Sequence, residues 1–370
     1  MRGLMKAASV MMALALAQQG VAKELVDIAG RTVTIPDQVE RVALGEGRMI
    51  YGIALLQDNP VARIVGWRSD LAKNDPDTLE KIAEKFPEAL QITDLGDPYA
   101  TDVNLEALLK GNPQVYILNV ADLLKAEETG LIAKLEKAGV APVFIDFRQF
   151  PLQNTVPSME VLGKVFGAEA RAAKFNDYYR KQMAVVQNRV AGLKEDEKPL
   201  VFVDRAAGYD PSKCCSTFGP QNYGELVARA GGINWGSGKF GGLGGSVNPE
   251  VIFSEPFDVV IATGANWKKA KPDVESVNLG YAANKDTAHK ELEGLAARKG
   301  WADISAVKTK RFHAIYHQFY NSPYHFAALQ EIAKWLHPER FADLDPEQTL
   351  IDFHKEFLPF DYSGTFWISL

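Results

Sequence analysis

Residues 168–193 read AEARAAKFNDYYRKQMAVVQNRVAGL, which is the longest helical pattern in the chain. Apolar side chains recur in it every three or four positions, so they share one stripe of an α-helix. That stripe consists of Phe175, Tyr179, Met183, Val186, Val190 and Leu193. At a rise of about 1.5 Å per residue, the segment extends about 39 Å, roughly the diameter of a domain. We therefore predict one long helix that crosses the back of two domains and ends at Gly192.

Strand patterns flank this helix on both sides. Before it come a hairpin-like pattern at 25–28 and 31–35 and strand patterns near 41–44, 63–67, 115–118 and 142–146; after it come 200–204, 257–262 and 311–316. Strands that alternate with helices are typical of a mostly parallel sheet covered on both faces. The predicted fold is α/β, with two Rossmann-like, doubly wound lobes, a single long α-helix that joins them, and a ligand cleft between the lobes.

The N-terminus has the pattern of a cleavable secretory signal. Arg2 and Lys6 precede the apolar run 7–17, and 20–22 supplies small residues at a cleavage point. The run is shorter than the roughly 20 residues of a membrane span, and no cysteine for a lipid anchor lies nearby. We predict a protein without membrane insertion, located in the periplasm. Its parts are a signal peptide at 1–22, an N-terminal lobe at 23–153, a connecting helical segment at 154–193 and a C-terminal lobe at 194–370.

The net charge and the cysteine content bear on the kind of partner and on whether disulfides hold the fold together. Loss of residues 1–22 removes two positive charges and no acid, which moves the formal net charge from −6 to −8, so bulk charge does not favour nucleic acid as a partner. Cys214 and Cys215 are the only cysteines, which excludes a disulfide framework. A vicinal disulfide in this pair, favoured in an oxidising compartment, competes with two free thiols or a metal pair.

Two segments that lie 144 positions apart resemble each other. Asn104-Leu105-Glu106-Ala107-Leu108-Leu109 corresponds to Asn248-Pro249-Glu250-Val251-Ile252-Phe253, and each leads through a proline into an apolar strand. In both, an asparagine caps a short helix and a glutamate occupies the first turn, where the helix dipole favours an anion. Repetition of helix, turn and strand is common in any α/β protein. Alternatively, the two segments mark two similar lobes.

A series of motifs extends along nearly the whole mature chain. In their order and spacing the sequence resembles the periplasmic substrate-binding proteins of ABC importers for ferric siderophores, haem and cobalamin. The motifs are VDIAGRTVTIP (26–36), ERV (40–42), DVNLE (102–106), LG (162–163), GAEARA (167–172), AGGIN (230–234), NPE (248–250), AVK (306–308) and AKWLHPERF (333–341). The resemblance implies a monomeric carrier, not an enzyme, that binds an iron chelate of the ferric siderophore type and has no resident cofactor or metal. It also implies that Glu106 and Glu250 dock against arginines of an inner-membrane permease that works with an ATPase. The alternative for both glutamates is stabilisation of their own helix dipoles.

Loops at the carboxyl ends of the strands are where a cleft ligand is expected. Aromatic faces and guanidinium groups suit an apolar, often anionic chelate. The predicted ligand-binding residues are Arg48, Tyr51, Trp67, Arg68, Tyr99, Arg148, Arg205, Tyr209, Trp235, Lys239, Trp267, His317 and Tyr320. Each has a structural alternative: the tryptophans and Tyr51 could be core residues, and Arg48 and Arg68 could pair with Glu46 and Asp70.

Other binding functions stay open at this point. Haem would be ligated by Tyr51, Tyr99 or Tyr209. Cobalamin is a third ligand, and a secreted enzyme or metallochaperone with a site at Cys214, Cys215 and His317 belongs to a different class. The segment 236–241 fits G-x-G-x-x-G but does not open a helix after a strand, so it predicts a glycine-rich loop, either for turn geometry or for close approach to a bulky ligand. His313 and His317 have a spacing found in zinc-binding helices, but residues 311–316 are predicted as a strand, so a direct metal site is not expected. We find no catalytic constellation.

Overall fold

The computed structural model describes residues 22–97, 103–210, 212 and 214–370. The predicted signal peptide and Tyr99 therefore lie outside the described residues, apart from Ala22. In the described part, no helix combines the length and the apolar character needed to cross a membrane. Two five-stranded sheets form the frame of the molecule. This arrangement confirms the predicted α/β fold with two lobes.

The first lobe opens with an antiparallel hairpin, as predicted, and continues into a parallel sheet. Its strands are β1 (Ala22–Val26) and β2 (Thr32–Pro36) in the hairpin, and β3 (Val42–Leu44), β4 (Ile64–Trp67), β5 (Thr93–Asp94), β6 (Val115–Asn119) and β7 (Ala141–Ile145) in the sheet, in the order β5-β4-β3-β6-β7. Its helices are α1 (Ile50–Ile53), α2 (Asp70–Asn74), α3 (Pro76–Lys85), α4 (Leu105–Lys110), α5 (Leu123–Glu128) and α6 (Leu131–Lys137). Strands β3 and β6 are fully buried because helices cover both faces of the sheet.

Two helices follow β7 before the second sheet begins: α7 (Pro151–Phe166) and α8 (Glu169–Val190). Gly167 ends α7 in the left-handed conformation, with φ 63°. At this corner the helices approach closely, since a Cβ on Gly163 would lie 2.9 Å from Cβ of Ala172. Helix α8 is thus shorter at both ends than the predicted helix of residues 168–193, and it extends about 33 Å. That α8 alone joins the lobes stays a prediction, as do the predicted domain boundaries.

The stripe of α8 is buried against both lobes. Phe175, Tyr179, Met183 and Val186 are each at most 5% exposed. The helix packs against α7 on the first-lobe side and, on the other, against the second-lobe helices α9 (Tyr223–Arg229) and α13 (Phe326–Leu336). Phe175 also contacts the rings of Phe353 and Phe357. One continuous hydrophobic core consequently includes residues of both lobes and of α8.

The second lobe repeats the plan with one antiparallel edge. Its strands are β8 (Leu200–Asp204), β9 (Ser216–Phe218), β10 (Ile233–Asn234), β11 (Gly244–Ser246), β12 (Val259–Gly264), β13 (Phe312–Tyr316) and β14 (Trp367–Ser369). The sheet order is β10-β8-β12-β13-β14, with β14 antiparallel, while β9 and β11 form a separate antiparallel pair. The remaining helices are α10 (Pro249–Ser254), α11 (Lys285–Ala296), α12 (Ser305–Lys308) and α14 (Pro346–Phe357).

Candidate functional site

A cavity of about 240 Å³ lies where the two lobes meet. It is lined by Arg48 and Asn74 of the first lobe and by Arg205, Ala206, Tyr209, Trp267, His317 and Tyr320 of the second lobe. Arg205 follows β8, Trp267 follows β12 and His317 follows β13, so the cavity lies at the carboxyl ends of parallel strands. Six of the predicted ligand-binding residues are thereby brought together: Arg48, Arg205, Tyr209, Trp267, His317 and Tyr320.

Arg48 joins the lobes at this cavity. Its side chain is 1% exposed, and its Nε donates to Oδ2 of Asp70 at 2.7 Å. Its Nη1 donates across the lobe boundary to Oε1 of Gln318 at 2.9 Å and to the hydroxyl of Tyr320 at 2.6 Å. Burial raises the pKa of Asp70, against the opposing effect of the Arg48 guanidinium. Most of the donor capacity of Arg48 is thus used within the protein.

His317 presents a neutral imidazole to the cavity. Its Nδ1 lies 2.8 Å from the hydroxyl oxygen of Thr263. Burial holds the pKa of His317 well below its ordinary value, and the positive charges of Arg205 and Arg48 act in the same direction. The ring also contacts Trp267 and Tyr320, with centroids at 5.1 and 4.7 Å. The second-lobe wall around His317 is therefore largely aromatic, and Arg205 supplies its positive charge.

Arg205 is the cation that the cavity leaves available. Its guanidinium lies over the ring of Phe218, with Cζ 5.2 Å from the ring centroid. Within the described residues it has no carboxylate partner. The neighbouring Asp204 is instead paired with Arg298 at 2.8 Å, and burial raises the pKa of Asp204 against that pairing. Arg205 can thus bind an anionic group of a ligand without breaking an ion pair.

A second cavity, of about 630 Å³, adjoins the first within the C-terminal lobe. The two share Arg205, Ala206 and Tyr209 as lining residues. Further lining residues of the second cavity include Asp204, Asp210, Ser212, Cys214, Cys215, Ser216, Lys271 and Arg298. The structure joins Cys214 and Cys215 by a disulfide. Sequence reasoning missed Lys271 and Arg298, because both come from loops far along the chain that carry no local binding pattern.

The other predicted first-lobe residues lie elsewhere. Tyr51 is a core residue: its hydroxyl donates to Oδ2 of Asp75 at 2.6 Å, and burial raises its pKa far above the ordinary value. Trp67 is 7% exposed at the end of β4, in the same hydrophobic core. Arg68 donates to the carbonyl of Asp97 and lines a separate first-lobe cavity of about 70 Å³. Neither Arg68 nor Tyr51 reaches the cavity between the lobes.

Three further predicted residues are also outside both cavities. Arg148 pairs with Glu46 at 2.9 Å near the lobe boundary. Trp235 packs against the rings of second-lobe core residues and donates from Nε1 to Glu255 at 3.2 Å. Lys239 lies over the Trp235 ring at 5.6 Å. The predicted Tyr99 is outside the described residues.

Gly236, in the glycine-rich segment, and Gly244, just after it, serve packing within the chain, whereas an added Cβ on Gly238 or Gly241 would meet no atom within 4 Å. A Cβ on Gly236 would collide with the carbonyl oxygen of Phe218, and a Cβ on Gly244 with that of Thr217. Gly244 therefore lets β11 approach β9 closely, and Gly236 does the same for the turn that follows β10. His313 is stacked on Trp335 at 4.4 Å, and burial lowers its pKa to about 3. In the described ranges, no group of three or more His, Cys, Asp or Glu residues is arranged to hold a metal ion.

Glu106 and Glu250 occupy equivalent positions on α4 and α10. Each is the second residue of its helix and is exposed. The side chain of Asn104 accepts from the Ala107 amide at 3.0 Å, and that of Asn248 accepts from the Glu250 amide at 3.1 Å. Neither glutamate forms an ion pair within the described residues. Both carboxylates are thus presented to solvent by the same local structure.

Comparisons with known proteins extend over almost the whole chain. Residues 67–317 match the family model described as periplasmic binding protein. The TroA-like periplasmic binding protein FepB from Veillonella parvula is 29% identical, with a TM-score of 0.84 over 94% of this chain and 99% of that chain. The molybdate-binding protein MolA of Haemophilus influenzae is 24% identical over 91% of either chain. Its molybdate-bound structure has a TM-score of 0.70, with 19% identity over 92% of this chain and 99% of that chain. CeuE of Helicobacter pylori, as a nickel–histidine complex, has a TM-score of 0.66, with 16% identity over 92% and 96%.

Proposed function

Because the chain belongs to the periplasmic binding protein family, the substrate-binding type that serves ABC importers, we propose that it captures a ferric siderophore between its lobes and delivers it to an inner-membrane permease. The protein acts as a carrier and performs no covalent chemistry. It works in the periplasm, after removal of a signal peptide at residues 1–22. N-terminal sequencing of the exported protein tests that location and the cleavage point.

The pair of adjoining cavities is the observation that carries this proposal. Their volumes are about 240 and 630 Å³, and they share three lining residues. Sites for drug-sized ligands occupy about 300–1,000 Å³. Their walls offer the aromatic rings of Tyr209, Trp267 and Tyr320 and the available guanidinium of Arg205. This combination suits a bulky, partly aromatic chelate with negative charge.

A small oxyanion such as molybdate is the second candidate, and the likeness to MolA favours it. Arg205 and the imidazole of His317 could both donate to such an anion. The space argues against it, because a tetrahedral anion would leave most of the two cavities to water. Haem is less well supported: Tyr51 is committed to Asp75 in the core, so Tyr209 is the candidate iron ligand among the described tyrosines of the predicted set.

Tryptophan fluorescence can decide among these ligands. Trp267 is 3% exposed, lines the cavity and contacts both Tyr209 and His317. The mature protein is titrated with ferric siderophores, the same chelators without iron, haem and molybdate. Trp267→Phe should remove the ligand-induced signal, whereas Trp235→Phe, on a ring outside both cavities, should keep it. Saturable quenching by a ferric chelate supports the proposal; a response to molybdate alone, or a Soret band with haem alone, replaces it.

Docking to the permease would use Glu106 and Glu250. Their equivalent positions, exposure and freedom from ion pairs within the described residues support this role. Two carboxylates on rigid helices suit charge-assisted pairs with arginines of a two-fold partner. The double variant E106K/E250K should abolish uptake and leave ligand affinity unchanged. The matched control E128K/E339K reverses one exposed glutamate on either lobe and should transport normally. Loss of ligand binding in E106K/E250K would remove the docking role.

A further inference from the structure

The Cys214–Cys215 disulfide lies in the wall of the larger cavity, beside the residues that the two cavities share. Cys215 is 8% exposed and packs on the hydrophobic core, while Cys214 is partly buried against it. Arg205 and Tyr209 line the same cavity. The bridge is therefore part of the binding region rather than a surface staple.

The backbone at Cys215 has an unusual conformation. Its φ is 120°, a region that glycine adopts readily and that other residues avoid because of the Cβ. The Cys215 carbonyl accepts from the Val247 amide at 2.9 Å, directly after β11. A bond between adjacent side chains closes a small ring and restricts the torsions of both residues. We take this ring as what keeps Cys215 at a positive φ.

The conformation of Cys215 is passed on to Arg205 through Ser216. The Arg205 amide donates to the Ser216 carbonyl at 2.8 Å, and the Ser216 hydroxyl donates to the Arg205 carbonyl at 3.0 Å. The Arg205 guanidinium rests on Phe218, which belongs to the same strand, β9. Both the main chain and the side chain of Arg205 therefore depend on how β9 begins, and β9 begins immediately after Cys215.

We propose that the Cys214–Cys215 disulfide is a positioning element for Arg205, so that tight binding of an anionic ligand requires the oxidised pair. This inference rests on the proposed function, since it assumes that the ligand occupies the cleft. On reduction by a dithiol, the S–S bond breaks and each sulfur gains one electron and one proton. The dithiol loses two electrons and two protons and becomes a disulfide. Cys215, no longer held by the ring, then relaxes towards a negative φ and moves Ser216 and Arg205.

The test measures the affinity of anionic gallium(III) siderophore complexes, because gallium(III) replaces iron(III) without being reduced by the dithiol. Reduced wild-type protein, with two free thiols verified by a chromogenic thiol reagent, should bind at least about tenfold more weakly than oxidised protein. C214A/C215A should show the same loss. C214A/C215G should regain most of the affinity, because glycine adopts φ 120° without the ring. A cooperative thermal transition in each form shows that the fold persists.

A double-mutant cycle with R205Q separates positioning from general weakening. If the disulfide acts through Arg205, R205Q should weaken binding in the oxidised protein, and the Cys pair substitutions should then add little. Equal affinities of oxidised and reduced protein, additive effects in the cycle, or no recovery in C214A/C215G would overturn the inference alone. Failure of oxidised wild-type protein to bind any gallium or ferric complex would overturn the proposed function, and the inference with it.

Discussion

Asp77 of α3 holds the first lobe against the second, and its removal should measurably destabilise the protein. Its side chain is 1% exposed. Oδ1 accepts from Nδ2 of Asn266 and from Nζ of Lys269, each at 2.8 Å, and Oδ2 accepts from the Ala282 amide at 3.3 Å. All three donors belong to the second lobe. The carboxylate therefore connects the lobes by three hydrogen bonds, all of which Asp77→Ala removes.

The contacts differ in strength, so the expected loss can be estimated. A hydrogen bond to a charged group contributes about 1.5–3 kcal/mol, and we assign about 1.5 kcal/mol to Asn266. The Lys269 side chain is 36% exposed, which reduces its contribution to under about 1 kcal/mol. The longer bond from Ala282 adds about 0.5 kcal/mol. Asp77→Ala should thus lower the free energy of unfolding by about 2–3 kcal/mol.

Urea unfolding, followed by circular dichroism, measures this loss. Glu80→Ala is the matched control, because Glu80 also pairs with Lys269, at 2.7 Å, but its side chain is 59% exposed. That control should change stability by less than about 0.5 kcal/mol. A cycle of Asp77→Ala with Lys269→Met should give a coupling of about 0.5–1 kcal/mol. If Asp77→Ala costs no more than Glu80→Ala, the lobes are not held together at this contact.

Three further results are expected. Phe175→Ala, in the buried stripe of α8, should cost about 3–5 kcal/mol in urea unfolding, against under about 0.5 kcal/mol for the exposed Lys181→Ala; similar losses would contradict the packing described for α8. Burial lowers the pKa of His354 to about 4, so between pH 6.5 and 4 the unfolded chain binds a proton that the folded protein refuses, and stability falls by about 1.4 kcal/mol per pH unit as the pH drops. His354→Gln should remove that part of the pH dependence, which urea unfolding at pH 7, 6 and 5 measures. If the variant loses as much stability as the wild-type protein between pH 7 and pH 5, His354 is not the cause. In fluorescence titrations, Arg205→Gln should lower the affinity for anionic chelates about tenfold or more and change the affinity for an uncharged chelate by no more than about twofold. Equal losses of affinity for both kinds of chelate would exclude a charge role for Arg205.

The sequence predicted the main strands well because each is a buried apolar run that needs no tertiary information. Leu200–Asp204 was located to the residue, and Phe312–Tyr316 within one residue. Short strands such as Gly244–Ser246 were missed, since their glycines resemble a loop and they become strands only by pairing with Ser216–Phe218. Pattern alone therefore determines the sheet centres better than their edges.

The site was predicted in part, and the reason is side-chain direction. Trp67 ends one apolar strand pattern and Trp267 follows another, and both are buried in the hydrophobic core, yet of the two only Trp267 lines the cavity between the lobes. The sequence gives no signal for that difference, because it depends on the twist of each strand and on which helix covers it. Likewise, the partners of Arg48 on the second lobe, Gln318 and Tyr320, lie about 270 positions away and meet it only after folding.

The hydrophobic core that runs without interruption through both lobes and α8 bears on the energetics of transport. Lobes whose relative position is already fixed lose little conformational freedom when a ligand binds, so most of the free energy of the ligand contacts is available as affinity. The same core opposes release of the ligand, because separation of the lobes would break contacts within it. An importer that separates the lobes would then have to supply the free energy of the core contacts that this separation breaks.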